Sequence, residues 1–269
     1  MKPAAPRKSF AKRSLGQNFL SDPIYINKII DAVAPNAEDT IIEIGPGRGA
    51  LTDRLVESGA NVVAIELDRE LVPVLRLKFA GRENFQVLED DALQTDFNSL
   101  ISNRSTFDIR HSKLIANLPY YISTAILQRL AEQRECFSEL VLMFQKEVVD
   151  RITAQPGNSD RGFLTVIVEA SFETEKLFDV PPEAFQPVPK VWSSVVRLKP
   201  KAADIADFDQ FRNLLSVSFS QKRKTIFNNL KPHFADAADA LRGANIDPSR
   251  RAETLTLAEW KSLVERLSE

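Results

Sequence analysis

One cysteine, Cys136, is present among the 269 residues, so an internal disulfide framework is excluded and a reducing, cytoplasmic setting is expected. Cys136 lies among polar residues with no nearby histidine, and it reads as a small, partly buried apolar residue rather than a nucleophile. The two histidines, His111 and His233, are far apart in the chain, which leaves no cluster for a metal. No run approaches the ~20 uninterrupted apolar residues that a membrane span needs. The first 14 residues are basic and carry prolines but no apolar stretch, so they read as a flexible tail and not a secretory signal.

An excess of positive charge is also missing. The net charge is −2, which excludes a uniformly basic nucleic-acid binder and makes the distribution more informative than the sum. Three segments carry bases and no acid: Lys2, Arg7, Lys8, Lys12 and Arg13 before Ser21; Lys190, Arg197, Lys199 and Lys201 between Gln186 and Ala203; and Lys222, Arg223, Lys224 and Lys231 between Phe219 and Phe234. Any one alone reads as a solvated face. Together, on an otherwise acidic chain, they suggest local phosphate contacts, with Lys222, Arg223 and Lys224 the candidate RNA-binding cluster.

What the chain does have is alternation. Thr40–Ile44, Asn61–Ile65, Phe85–Leu88, Lys113–Ala116, Leu140–Phe144, Leu164–Phe172 and Trp192–Leu198 read as seven strands. Helical spacing follows several of them, as in Leu51, Leu55 and Val56, or Leu71, Val74 and Leu75 after the capping candidate Asp68; Ser123 is a similar candidate before Ile126, Leu127 and Leu130. Such alternation implies an α/β fold with a doubly wound parallel sheet. The last two strands lack an intervening helix, so an antiparallel strand is expected at one edge. After Pro200 the pattern becomes helical: Phe208, Phe211, Leu214 and Leu215 share a face, Asp247-Pro248 reads as an N-cap before a first-turn proline, and Thr256-Leu-Ala-Glu259 reads as a capping box. The expected division is a catalytic domain over residues 1–202 and a small all-helical, RNA-binding domain over residues 203–269.

The first strand ends in Glu43-Ile-Gly45-Pro-Gly47-Arg-Gly49. Glycines admit positive φ and close approach of a ligand, but G-x-G-x-G is not the G-x-G-x-x-G of dinucleotide folds. Glu66 closes the second strand, where a carboxylate can accept from both ribose hydroxyls, and Asp91 after the third can accept from an adenine amine. A cationic sulfonium suits this acidic setting better than a pyrophosphate does. The arrangement resembles the first three motifs of class I methyltransferases, which implies a Rossmann-like seven-stranded sheet and S-adenosyl-L-methionine as cofactor.

Asn117-Leu118-Pro119-Tyr120 follows the fourth strand. Pro119 biases Leu118 toward an extended conformation and so aims its carbonyl. That carbonyl and the Asn117 side-chain oxygen can accept both protons of an aromatic amine. Accepting them favours a pyramidal nitrogen and stabilises the charge that builds on it during methyl transfer. No strong general base is required. Tyr120 can stack on a base that has left its helix.

Gly16-Gln-Asn18-Phe19-Leu20, the E-I-G-P-G-R-G string with Leu51-Thr52, Ile65-Glu66-Leu-Asp68, Asn117-Leu-Pro-Tyr-Tyr121-Ile-Ser and Phe219-Ser-Gln-Lys-Arg-Lys-Thr225 together resemble the ribosomal RNA adenine N6-dimethyltransferase family, most of all its bacterial small-subunit (16S) branch. The similarity runs from about Lys12 to Trp260. It implies that Asn18 and Leu20 close over S-adenosylmethionine, that Gly45, Gly47, Glu66, Asp91 and Asn117 contact it, and that Asn117, Leu118 and Tyr120 serve the target base with Phe185 stacking on its other face. It further implies a monomer acting on two adjacent adenosines in a 3′-terminal hairpin of 16S rRNA within an assembling small subunit. Lys222, where the family often has arginine, and Trp192, where it commonly has a small polar or acidic residue, depart from the pattern on the RNA side. A large-subunit (23S) methyltransferase, a non-catalytic RNA-binding assembly factor and a small-molecule methyltransferase are the alternatives. The developed helical C-terminus, the intact Gly45, Glu66, Asn117 and Tyr120, and the basic segments respectively weigh against them.

Overall fold

The computed structural model describes residues 17–102, 111–119, 122–202 and 204–267. The chain divides into two compact units. The first comprises the residues up to Lys146 together with Glu175–Lys199, and the second Glu147–Thr174 together with Pro200–Glu269. The single break expected after residue 202 is thus replaced by a discontinuous division, because the segment after Lys146 groups with the C-terminal helices.

In the first unit the elements run β1 (Phe19–Leu20), α1 (Pro23–Val33), β2 (Thr40–Ile44), α2 (Ala50–Glu57), β3 (Asn61–Glu66), α3 (Leu71–Lys78), β4 (Phe85–Glu89), α4 (Phe97–Ser102), β5 (Ser112–Asn117), α5 (Ser123–Glu132) and β6 (Glu139–Gln145), and later β7 (Phe172–Val180), β8 (Phe185–Gln186) and β9 (Ser193–Pro200). Seven strands form one sheet in the order β4-β3-β2-β5-β6-β9-β7. β2 is parallel to both β3 and β5, and all five of its residues are buried. This is why its sequence is an unbroken Thr-Ile-Ile-Glu-Ile run rather than an alternating one. The antiparallel strand is β9, paired with β6. It lies inside the sheet and not at its edge as expected, because β7 covers its other side.

The strand order reverses between β2 and β5, and in open α/β sheets the crevice at such a switch point, beyond the carboxyl ends, is where ligands bind. The opposite end is closed by charge. Buried Asp39 accepts from Lys113 Nζ at 2.9 Å, and the same ammonium donates to the carbonyls of Val33 and Ala34 at the end of α1. The last carbonyls of that helix, which have no intrahelical donor, are satisfied by the sheet itself. Ser123 does not cap α5: Ile122 holds the cap position without a side-chain bond, and Ser123 is buried one residue inside.

The second unit contains α6 (Lys146–Ile152), α7 (Phe163–Ser171), α8 (Phe208–Ser218), α9 (Ile226–Leu230), α10 (Ala237–Gly243) and α11 (Leu257–Leu267). Leu164–Phe172, expected as a strand, is the helix α7, and the strand begins only at Phe172. A short apolar run buried all round gives no period by which to tell helix from strand; here Leu164, Val166, Ile167, Val168 and Ala170 are all buried. The Thr165 hydroxyl accepting from the Gly162 amide at 3.0 Å fixes the helical start. Buried Arg161 donates to the Ala154 carbonyl and to Glu169, stapling the preceding loop to α7. The Thr256–Glu259 capping box forms, with Thr256 N–H donating to Glu259 at 2.8 Å and the Glu259 amide returning to Thr256 Oγ1. Asp247-Pro248 makes a turn and not a helix start, with Asp247 accepting from the Ser249 amide.

Candidate active site

A cavity opens at the carboxyl ends of β2, β3 and β5, where the strand order reverses. The loop after β2 bends through three glycines at positive φ, +67° at Gly45, +57° at Gly47 and +78° at Gly49. At Gly47 the constraint is doubled, because a Cβ there would stand 2.9 Å from the Phe19 ring. Only glycine leaves the loop amides this close to the cavity.

Glu66, at the end of β3, is 6% exposed and accepts from the amides of Gly47 at 3.1 Å and Asp68 at 2.9 Å. Burial pushes its carboxyl above the usual range and those amide bonds pull the other way. Glu43 sits deeper, with Oε2 accepting from the Thr52 hydroxyl at 2.7 Å. Desolvation raises its pKa to about 7 against that hydrogen bond, with further upward pushes from Glu66 and Asp53 and a downward one from Lys78. Asp91 Oδ1 accepts from the Leu93 amide at 3.0 Å, and Asp91 and Asp90 both line the cavity. Two buried carboxylates and two at the rim make a pocket for a cation bearing hydroxyls and an amine.

The N-terminal segment straps across this mouth. β1 pairs antiparallel with β8, Phe19 opposite Gln186 and Leu20 opposite Phe185. Ser21 and Asp22 N–H both donate to the Ala184 carbonyl, and Gln17 Nε2 donates to Asp68 at 3.0 Å. Asn117, the last residue of β5, donates from Nδ2 to the Asn18 carbonyl at 3.3 Å. That bond turns Oδ1 into the acceptor the side chain has left to offer.

Asn18, Leu20, Gly45, Gly47, Glu66, Asp91, Asn117 and Leu118 all line this one cavity. Phe185 does not. Its side chain is 3% exposed and belongs to the same buried cluster as Leu20, Val180 and Ala184; its neighbour Gln186 lines the cavity. Tyr120 lies outside the described residues. Lys222, Arg223 and Lys224 stand in the second unit, exposed in the turn between α8 and α9 and without a carboxylate partner among the described residues. Of the other bases, Arg197 is engaged by Glu139 and Glu175. Sequence reasoning did not single out Gln17, Phe19, Leu67 and Gln186 among the lining residues; Phe19 and Gln186 are brought together only by the β1–β8 pairing.

The model of the family described as ribosomal RNA adenine dimethylase matches residues 8–269. The chain belongs to that family. It is 42% identical over 253 residues to a "Ribosomal RNA small subunit methyltransferase A" of Hahella chejuensis, covering 93% of this chain and 90% of the relative. It is 42% identical over 265 residues to the protein of the same name in Geobacter sulfurreducens, covering 96% and 95%. Among solved structures, a dimethyladenosine transferase from Plasmodium falciparum superposes with a TM-score of 0.76 at 29% identity, over 91% of this chain and 95% of that one. A 23S rRNA methyltransferase superposes with a TM-score of 0.66 at 25% identity, over 94% and 100%. The fold is therefore the Rossmann-like α/β fold of S-adenosylmethionine-dependent methyltransferases, and the chain is an rRNA adenine dimethylase that uses this methyl donor.

The acidic lining and the glycine loop fit that donor. Two outcomes are expected. Glu66→Ala weakens S-adenosylmethionine binding by about 1.5–3 kcal/mol, the range for hydrogen bonds to a charged group; unchanged affinity in calorimetry would remove Glu66 from the cofactor site. Because a bound cation favours ionised Glu43, affinity is expected to climb with pH through the range below about 7, Glu43's pKa without cofactor, and to level off above it. Calorimetry across pH 5.5–8.5 should find that climb reduced in Glu43→Gln, and an identical profile in the variant would show that the carboxyl does not sense the cofactor.

Proposed function

We propose that this dimethylase transfers methyl groups from S-adenosylmethionine to N6 of two adjacent adenosines in a 3′-terminal hairpin of 16S rRNA, acting as a cytoplasmic monomer without a metal on the assembling small subunit. The observation that carries the chemistry is Asn117, at the switch point, tied through Nδ2 to the strap. The resemblance to relatives named for the small subunit, at 42% identity, supports that substrate over the large subunit. No helix among the described residues is long and apolar enough to cross a membrane, and none of their His, Cys, Asp and Glu side chains group in a way that could hold a metal.

Glu66 would hold the ribose hydroxyls, Asp91 the adenine amine, and the Gly45 and Gly47 backbone would allow close approach. The donor supplies an electrophilic methyl group on a sulfonium. The chain's own contribution is to the nucleophile. An adenine amine is weakly nucleophilic because its lone pair is delocalised into the ring. Asn117 Oδ1 and the Leu118 carbonyl would accept its two protons, hold the nitrogen in line and stabilise the positive charge that grows on it. The extra proton can leave to water after transfer, so no strong base is needed. The exposed Lys222, Arg223 and Lys224 turn would contact RNA phosphates. Its backbone is held for that by Asn229, whose Nδ2 donates to the carbonyls of Ser218 at 2.6 Å and Gln221 at 3.3 Å.

Tritiated methyl transfer to unmethylated small and large subunits, with nucleoside analysis of the product, decides the substrate; incorporation into large subunits alone would favour the 23S reading. Asn117→Ala should slow single-turnover methylation by on the order of a hundredfold to a thousandfold with binding little changed, since the contact strengthens only as charge develops. A near-normal rate would reduce the motif to a structural turn. Changing Lys222, Arg223 and Lys224 together to Ala should weaken subunit binding and flatten its salt dependence by up to about one unit of slope per lost phosphate contact. Binding that follows salt as before would make the turn a solvated loop.

A further inference from the structure

The loop from Pro187 to Trp192 leaves the cofactor cavity at Gln186 and enters β9 at Ser193. It carries two of the exposed large apolar side chains of the first unit, Val188 at 62% and Trp192 at 50%. An indole half open to water is unusual, because tryptophan is highly buried on average. The other tryptophan of this protein, Trp260, is fully buried.

The loop is held in place. The Trp192 carbonyl accepts from the Lys146 amide at 2.9 Å, and Ser193 pairs with Gln145, so Trp192 stands just beyond the carboxyl end of β6. β6 is parallel to β5, with Met143 opposite Asn117. From the Asn117 strand to the β9 strand is two strand spacings, roughly 10 Å. Trp192 therefore stands on the same rim of the sheet as Asn117. Pro187 and Pro189 restrict the backbone, which lowers the entropy lost when the loop is engaged. Lys190, exposed on the same loop, has no carboxylate partner among the described residues and adds a cation for a phosphate. No ring of a described residue covers the indole.

We propose that Trp192 is a stacking platform for an unpaired nucleotide of the RNA substrate that flanks the target adenosine, with Lys190 on the adjoining phosphate. This rests on the RNA adenine reading above and extends it to a specificity contact outside the methyl-transfer pocket. An exposed aromatic ring with a nearby base is the arrangement by which proteins hold single-stranded RNA, and one such stack is worth about a five- to hundredfold change in affinity. A target adenosine presented in a loop has unpaired neighbours for such a ring to take.

The test uses the full-length enzyme and its own fluorescence, since Trp260 is buried and Trp192 is not. Titration with a single-stranded adenosine-containing oligoribonucleotide should quench the emission of the wild type and leave that of Trp192→Phe unchanged. With unmethylated small subunits, Trp192→Ala should raise KM about ten- to a hundredfold and leave the single-turnover rate at saturation intact, with Trp192→Phe largely restoring KM. Wild-type methylation of the same subunits, run in parallel, reports separately on the underlying reading. An oligoribonucleotide that quenches nothing, or a Trp192→Ala enzyme with unchanged KM, overturns the proposal. A raised KM on subunits without quenching by RNA would assign the indole to a protein surface of the subunit and overturn it equally.

Discussion

The bond from the Gly47 amide to the Glu66 carboxylate, 3.1 Å long and buried, joins the loop after one strand to the tip of its neighbour. Without it the glycine loop loses the acceptor that shapes it, and Glu66 is left with the amides on its own side of the pocket to offset its burial. With it, the loop is shaped around an acceptor that still has lone pairs to offer a ligand. The strap depends on the same geometry: Phe19 lies over Gly47 because no side chain intervenes, Gln17 reaches Asp68 next to Glu66, and Asn117 reaches back to Asn18. Cofactor side and nucleophile side of the cavity are thus fixed by one short chain of contacts.

The acidity of that pocket costs stability in the empty protein. Glu43 and Glu66 are both buried, burial pushes each toward protonation, and Glu66 adds a further push on Glu43. Two carboxylates poorly paired at the switch point are hard to rationalise as structural glue, since buried charges are usually neutralised by partners. A cationic cofactor bound in this cavity would offset that cost.

Much of the site was legible in the sequence because it follows a local rule. Gly45, Glu66, Asp91 and Asn117 all fall at or just after the ends of strands whose apolar runs are plain, and ligands meet such sheets at strand ends. Phe185 was not legible. Successive residues of a strand face opposite sides, so whether Phe185 or Gln186 faces the cavity is decided by register against Phe19 and Leu20, some 165 residues earlier in the chain. A long-range pairing of two residues leaves no periodic trace. α7 failed for a different reason: a segment buried on every side has no polar face to reveal its period. The discontinuous second unit leaves no trace in the sequence for the same reason, since a strand at Leu164–Phe172 would have belonged with the sheet.

That α7 groups with helices far downstream has a consequence for how the chain is made. α7 packs against α8 and α11 within the second unit. On a translating ribosome, its apolar circumference is complete well before α11 exists. At about 5–20 residues per second, the roughly 90 residues between them take several seconds to appear. Through that interval this nine-residue cylinder has only part of its native cover, because α8 is made before α11. Slower decoding between residues 172 and 257 would lengthen this exposure.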